Sequence, residues 1–334
     1  MQESTQTGDN RISIIDVFRL TKTFEEITAV SEISFSLKKG EIFGFLGPNG
    51  SGKTTTINML TGLFRPDSGT IKVAGLDCTK NPKAAQHLIG VVPDESNLYP
   101  ELTGFDNLCF CASLYGIRKD ERKKRAQELL EIFGLSDAAK RKFGGYSKGM
   151  KRKLTIAAAI IHRPQILFLD EPTTGIDVAS ARHIRQLVSD LRNNGTTVFL
   201  TTHYIEEAQR LCDRIAFIVK GQIVKTDSVE NLLQPIMGRQ IMRLSLSGSV
   251  ENLSGLLADA FPRYMFETIA SEQIRIESDD SIHLGGLVRF MEKYEIEVTE
   301  ARRIVPTLED IFVSITGIEA NVLSKEAEEK GGTA

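Results

Sequence analysis

The stretch Ile42-Phe43-Gly44-Phe45-Leu46-Gly47-Pro48-Asn49-Gly50-Ser51-Gly52-Lys53-Thr54-Thr55 decides how the chain is read. Residues 42–46 form a short apolar run, the signature of a strand buried on both faces. A glycine-rich turn follows at once, and a helical pattern runs from about Lys53 to Phe64. Residues 47–54 fit G-x-x-x-x-G-K-[ST] in full. Glycines let the backbone wrap with its N–H groups turned inward, and the following helix presents its positive end to phosphates. Lys53 is placed to reach the β- and γ-phosphates, and Thr54 to ligate Mg²⁺. A chain of this length matches the pattern by chance roughly once in a hundred. The strand before it and the helix after it supply the context that a plain glycine turn lacks.

Composition sets the outer limits. With 334 residues the chain has room for two domains and a core that needs no disulfide. Hydrophobic residues make up 41% and charged residues 25%, which excludes a disordered or collagen-like chain. A net charge of −3 gives no overall attraction to nucleic acid, and none is expected as a partner. The longest apolar run near a helix, residues 155–161, is far short of a membrane span of about 20 residues. The N-terminal MQESTQTGDN has no apolar signal core, so export is not expected. Cys78, Cys109, Cys111 and Cys212 are too scattered for a disulfide framework and read as free thiols.

Two more buried strands are expected at residues 166–169 and 197–200. Both end in polar residues, as parallel strands do where a site lies at their C-terminal edge. Asp170 and Glu171 follow the first. A carboxylate at that strand end, beside a phosphate loop, is where a Mg²⁺ partner belongs, and its neighbour Glu171 is then available as a general base for water. His203 ends the second strand after Thr201-Thr202. That position sets it apart from His87, His162, His183 and His283, which are read as structural. Residues 104–134 read as mostly helical and 214–225 as a hairpin. From residue 240 the order strand, helix, strand, strand, helix, strand suggests a small α+β, ferredoxin-like domain.

Taken together, these residues resemble the nucleotide-binding subunits of ATP-binding cassette (ABC) transporters over about residues 12–230. The motifs stand in family order: residues 47–55 as Walker A, Tyr146-Ser147-Lys148-Gly149-Met150 at the signature position, 166–171 as Walker B, Gly175-Ile176-Asp177 as the D-loop and His203 as the switch histidine. Ser147 precedes Asp170 by 23 residues, and Glu171 precedes His203 by 32, as in the family. The resemblance implies a P-loop α/β core at 12–234 with an antiparallel β subdomain and a helical subdomain at about 95–160. An accessory or dimerisation domain is expected at 238–318, with flexible ends at 1–11 and 319–334. It implies ATP and Mg²⁺ as cofactors, two composite sites in a head-to-tail dimer with a second copy or a homologous ATPase, and polytopic membrane permeases as partners. The place of work would be the cytoplasmic face of the cell membrane. Phe24 occupies the position of the aromatic that stacks on adenine; a core phenylalanine is its plain alternative. Gly47, Pro48, Asn49, Gly50, Ser51, Gly52, Lys53, Thr54 and Thr55 would cradle the nucleotide. Ser147 and Gly149 would meet the nucleotide of the opposite subunit.

Three departures from the family pattern carry weight. The signature reads YSKGM where LSGGQ is common, a form that resembles a subgroup of exporter ATPases. Around it stand Lys140, Arg141, Lys142, Lys148, Lys151, Arg152 and Lys153. Cations in a helix's first turn oppose its dipole. Either they attract the opposing subunit's ATP, or they form a solvated basic face. The third departure is Asp94, where the family has a glutamine that contacts Mg²⁺ and the attacking water. Asp94 could hold the metal through water, but its charge opposes the γ-phosphate when metal is missing. Two other functions remain open on these residues: a soluble ABC ATPase of ribosomes, DNA or cofactor assembly, and a nucleotide-gated scaffold with little turnover. The 94 residues from Lys53 to Ser147 leave no room for the long coiled coil of the DNA-repair members.

Overall fold

The computed structural model describes residues 12–237, 240–248, 252–270, 272–304 and 307–318. The expected flexible ends, 1–11 and 319–334, lie outside the described residues. Two long strands, β1 (Ser13–Phe24) and β2 (Ile27–Lys38), open the chain, and β3 (Ile42–Leu46) leads into α1 (Lys53–Leu60). Next come β4 (Ser68–Val73), β5 (Leu76–Asp77), α2 (Pro82–Gln86) and β6 (Ile89–Val92). Three helices follow, α3 (Gly104–Leu114), α4 (Lys119–Ile132) and α5 (Lys148–Ala159). Then β7 (Ile166–Asp170), α6 (Val178–Asn193), β8 (Thr197–Thr202) and α7 (Ile205–Leu211) alternate before the hairpin β9 (Arg214–Val219) and β10 (Gln222–Ser228).

These elements build two sheets. The larger has the order β10-β9-β3-β8-β7-β6, parallel from β9 to β6, with β10 antiparallel at the edge. The smaller, β2-β1-β4-β5, is antiparallel. Every residue of β3, β7 and β8 is buried, as central parallel strands covered on both faces must be. Phe35, Phe43, Phe45, Phe168 and Phe199 pack there with ring centroids 5.4–6.0 Å apart. That aromatic cluster fixes the strands whose C-terminal ends carry the loop at Gly47, the carboxylates at Asp170 and Glu171, and His203.

Two expected helices differ in length. The first ends at Leu60, where Thr61 bonds back to Ile57 and Gly62 turns with φ 75°. The span 104–134 is two helices, split around Gly116 with φ 74°. A sequence with apolar residues on both sides of a single glycine reads as continuous when it is not. His162 is structural: its ring stacks on Tyr115 at 3.6 Å, and burial lowers its pKa to about 4.

A second compact unit spans Val229–Ser314. It begins with α8 (Val229–Met237) and continues with β11 (Gln240–Ser247), α9 (Leu253–Ala260), β12 (Met265–Ala270), β13 (Gln273–Ser278), α10 (Leu284–Glu292) and β14 (Glu297–Ile304). Its antiparallel sheet has the order β12-β13-β11-β14, the ferredoxin-like arrangement. Leu244, Leu246, Ile274 and Ile276 from the strands meet Leu257, Leu287 and Met291 from the helices in one core. The final helix is α11 (Leu308–Thr316). Among the described residues no helix is long and apolar enough to cross a membrane.

Candidate active site at the ends of the parallel strands

The site starts where β3 ends. Gly52 caps α1 with φ 103°, a conformation that side chains rarely adopt, and its α-carbon faces the carbonyl of Ala29. The turn brings Lys53 inward. It is only 5% exposed, and its Nζ donates to the carbonyls of Gly47 at 2.8 Å and Pro48 at 3.0 Å. The same ammonium lies 3.6 Å from Glu171 Oε1. Thr54 Oγ1 donates to Asp170 Oδ2 at 3.0 Å, which joins the loop to the end of β7. Asp170 also accepts from the Thr201 hydroxyl. Burial raises the Asp170 pKa, and the two threonine hydroxyls oppose that rise.

Glu171 sits in a left-handed backbone conformation, φ 46°. Its N–H donates to Thr201 O at 3.1 Å and lies 3.2 Å from Thr201 Oγ1. Its carboxylate accepts from Thr174 Oγ1 at 3.2 Å and stands 3.1 Å from His203 Nδ1. A buried non-glycine residue at positive φ stores strain that the surrounding contacts must hold, a feature common at active sites. His203 is 2% exposed, and its Nε2 is buried without a hydrogen-bond partner. Ser51 Oγ is in the same condition. Buried polar atoms left unmatched cost stability unless something polar meets them.

A cleft of about 380 Å³ gathers the parts. Asn49, Gly50, Gly52, Lys53, Thr54 and Thr55 form one wall, and Asp94, Asp170 and Glu171 another. The loop, the strand-end carboxylates and Asp94 therefore come together. Phe24 does not line that cleft. It is 42% exposed, packs edge-on against Phe64 at 5.5 Å and carries Lys22 Nζ 5.3 Å over its ring. Ser147 and Gly149 are at the start of α5, away from the cleft lining. Ser147 Oγ accepts from Met150 N at 3.3 Å and caps the helix. Gly149 is buried, and a side chain there would collide with Ser180. The close approach at Gly149 is thus, within this chain, a contact with the start of α6.

The chain matches the ABC transporter family model over residues 30–174. It is 40% identical over 302 residues to the linearmycin resistance ATP-binding protein of Bacillus subtilis (strain 168), covering 89% of this chain and 96% of that one. The protein belongs to the ABC transporter ATP-binding proteins. The daunorubicin/doxorubicin resistance ATP-binding protein of Streptomyces peucetius is 36% identical, covering 93% of this chain and 95% of that one. For the Nod factor export ATP-binding protein I of Rhizobium etli (strain ATCC 51251) the identity is 33%, with 92% and 95% covered. Among solved structures, a dimeric ATP-binding cassette in a post-hydrolysis state with ADP and phosphate superposes with a TM-score of 0.60. It is 28% identical and covers 64% of this chain and 98% of its own. The fold of this cassette is thus a P-loop ABC ATPase core, and the enzyme is an ATPase with relatives of the exporter type.

Three contributors to this ABC site were not singled out from the sequence. Thr201 supplies a carbonyl and a hydroxyl to Glu171 and a hydroxyl to Asp170. Glu207 is buried and accepts from Thr173 at 2.7 Å and Thr202 at 2.9 Å, tying the stretch after Glu171 to the residue before His203. Burial raises its pKa. Arg152 was grouped with the surface lysines, yet it is buried. Lys140, Arg141, Lys142 and Lys148 are exposed, and Lys151 and Lys153 are half-buried.

Proposed function

We propose that this ATPase is the motor subunit of an exporter, working as a head-to-tail dimer on membrane permeases. The observation that carries the reading is the cleft in which Lys53, Thr54, Asp170 and Glu171 converge. In it the phosphates of ATP would lie on the backbone N–H groups of residues 47–55 and on Lys53. Ser51 Oγ and His203 Nε2, both buried and unmatched, fit a polyanion with acceptor oxygens. Thr54 and Asp170, with Asp94 at the rim, offer the hard oxygen donors that Mg²⁺ prefers. When bound, Mg²⁺ would neutralise charge on the β- and γ-phosphates. Glu171 would take a proton from water as its oxygen attacks the γ-phosphorus and the bond to the β-phosphate oxygen breaks. His203 would hold the Glu171 carboxylate and the γ-phosphate in line. Phe24, exposed at the end of β1, would stack on the adenine.

Ser147 and Gly149 lie outside the cleft of their own chain, which supports a role toward a second subunit. An Oγ that accepts one N–H still has its own proton to donate. A groove of about 790 Å³ lined by Val91, Pro93, Asn97, Leu98, Leu114 and Tyr115 would receive a permease helix. The unit Val229–Ser314 would serve as an accessory or dimerisation domain. The exporter assignment rests on relatives named for drug resistance and Nod factor export.

The dimer has its own test. In the Glu171→Gln chain, Ser147→Arg should weaken ATP-dependent dimer formation at least tenfold by sedimentation velocity. An unchanged dimerisation constant would remove the head-to-tail arrangement.

A further inference from the structure

Arg152 is a buried cation in a run of basic residues that are otherwise exposed or half-buried. Its side chain is 8% exposed. Nη1 donates to the carbonyl of Pro93 at 2.5 Å, and Nη2 to the carbonyl of Asp94 at 2.6 Å. Nη2 also reaches the Glu171 carbonyl at 3.5 Å and lies 3.5 Å from Asp94 Oδ1. One planar fork from α5 therefore grips the segment after β6 and the segment after β7. These are the two segments that bring Asp94 and Glu171 to the nucleotide cleft. A guanidinium keeps its charge when buried, so it needs nearby negative charge and filled acceptors. Asp94, Asp170 and Glu171 provide that charge.

The pairing answers the difficulty that Asp94 raises. A bare carboxylate at the rim of a triphosphate site repels the γ-phosphate. An amide at that position would not. Here the acid is matched by a fixed cation on α5. Lysine would supply the charge but not the planar fork that holds three carbonyls.

We infer that Arg152 is a positioning residue that fixes Asp94 at the nucleotide cleft and offsets its charge, so that ATP meets a neutral pair there. The inference rests on the reading of the cleft as an ATP site. It also means that α5, which Ser147 caps, is tied to the cleft of its own chain through one side chain.

The test is equilibrium titration with a non-hydrolysable ATP analogue, in Mg²⁺ and in EDTA. Four full-length chains are compared: the parent, Arg152→Met, Asp94→Asn and the double variant. Arg152→Met should lower metal-free affinity about tenfold in the parent, about 1.4 kcal/mol. Asp94→Asn leaves Arg152 as an unmatched cation and should raise metal-free affinity by a similar factor, so the double variant, neutral again, should bind within threefold of the parent. A double variant as weak as Arg152→Met alone would mean that Arg152 acts only through folding, and would overturn the inference. Asp94→Asn removes no buried cation and tests the point should Arg152→Met fail to fold. An Asp94→Asn affinity within twofold of the parent would mean that the charge of the carboxylate does not reach the nucleotide, and would overturn the inference. A parent chain that binds no nucleotide would overturn the ATP-site reading and this inference together. Normal parent binding with no recovery of affinity in the double variant would overturn this inference alone.

Discussion

Glu171→Gln should lower the rate of ATP hydrolysis by about a hundredfold or more, while ATP affinity stays within about threefold of the parent. The residue is 6% exposed and already held on several sides. Thr201 fixes its N–H, Thr174 donates to the carboxylate, and Lys53 and His203 flank it at 3.6 and 3.1 Å. Glutamine has nearly the same shape and keeps an acceptor for Thr174, so the cleft should survive. What it lacks is a group able to take a proton from water. General-base catalysis contributes roughly 10²–10⁴ in rate, which sets the size of the loss. Phosphate release under saturating Mg²⁺-ATP reads the rate, and equilibrium titration reads the affinity. Full turnover in the variant would remove Glu171 from the role of base.

Lys53→Ala should act on the other parameter, lowering ATP affinity by about a hundredfold. Charge-assisted bonds to phosphate are roughly twice as strong as neutral ones, and a buried ammonium acts in a medium less screened than water. The residue has a second duty in the folded chain. Its ammonium holds the carbonyls of Gly47 and Pro48 and lies against Glu171. Removing it leaves a buried carboxylate short of a cation, which is destabilising. Thermal unfolding of the variant without nucleotide separates the two effects. If the loop is intact by that measure and affinity is nonetheless retained, Lys53 does not grip the phosphates.

The phosphate loop could be read from residues 42–55 because its chemistry is local. An apolar strand, a run of glycines and a helix are contiguous, and the structure bends them as that order requires. Asp170, Glu171 and His203 stood out for a similar reason, since Asp170 closes the fully buried β7, Glu171 follows it, and His203 follows the fully buried β8. The C-terminal order of strands and helices also carried over, down to the ferredoxin-like sheet. What escaped was set by tertiary contact. Thr201 looks like any strand threonine until β7 and β8 pair and bring its hydroxyl to Asp170. Glu207 follows His203 by four residues on a short helix, and only burial shows that its carboxylate binds Thr173 and Thr202. Arg152 was hidden by its neighbours, because a run of Lys and Arg reads as a solvated face. One position in that run turns inward on α5 toward Pro93 and Asp94. The glycine at 149 had two available reasons, and the chain itself supplies one in the side chain of Ser180.

The exporter role proposed for this ATPase can be tested on native membranes. The most direct test is affinity purification of the full Glu171→Gln chain with Mg²⁺-ATP from detergent-solubilised native membranes, followed by identification of what comes with it. A polytopic membrane protein in near-equal amount is expected. Recovery of ribosomal, DNA-bound or cofactor-assembly proteins instead, with the chain absent from the membranes, would contradict it.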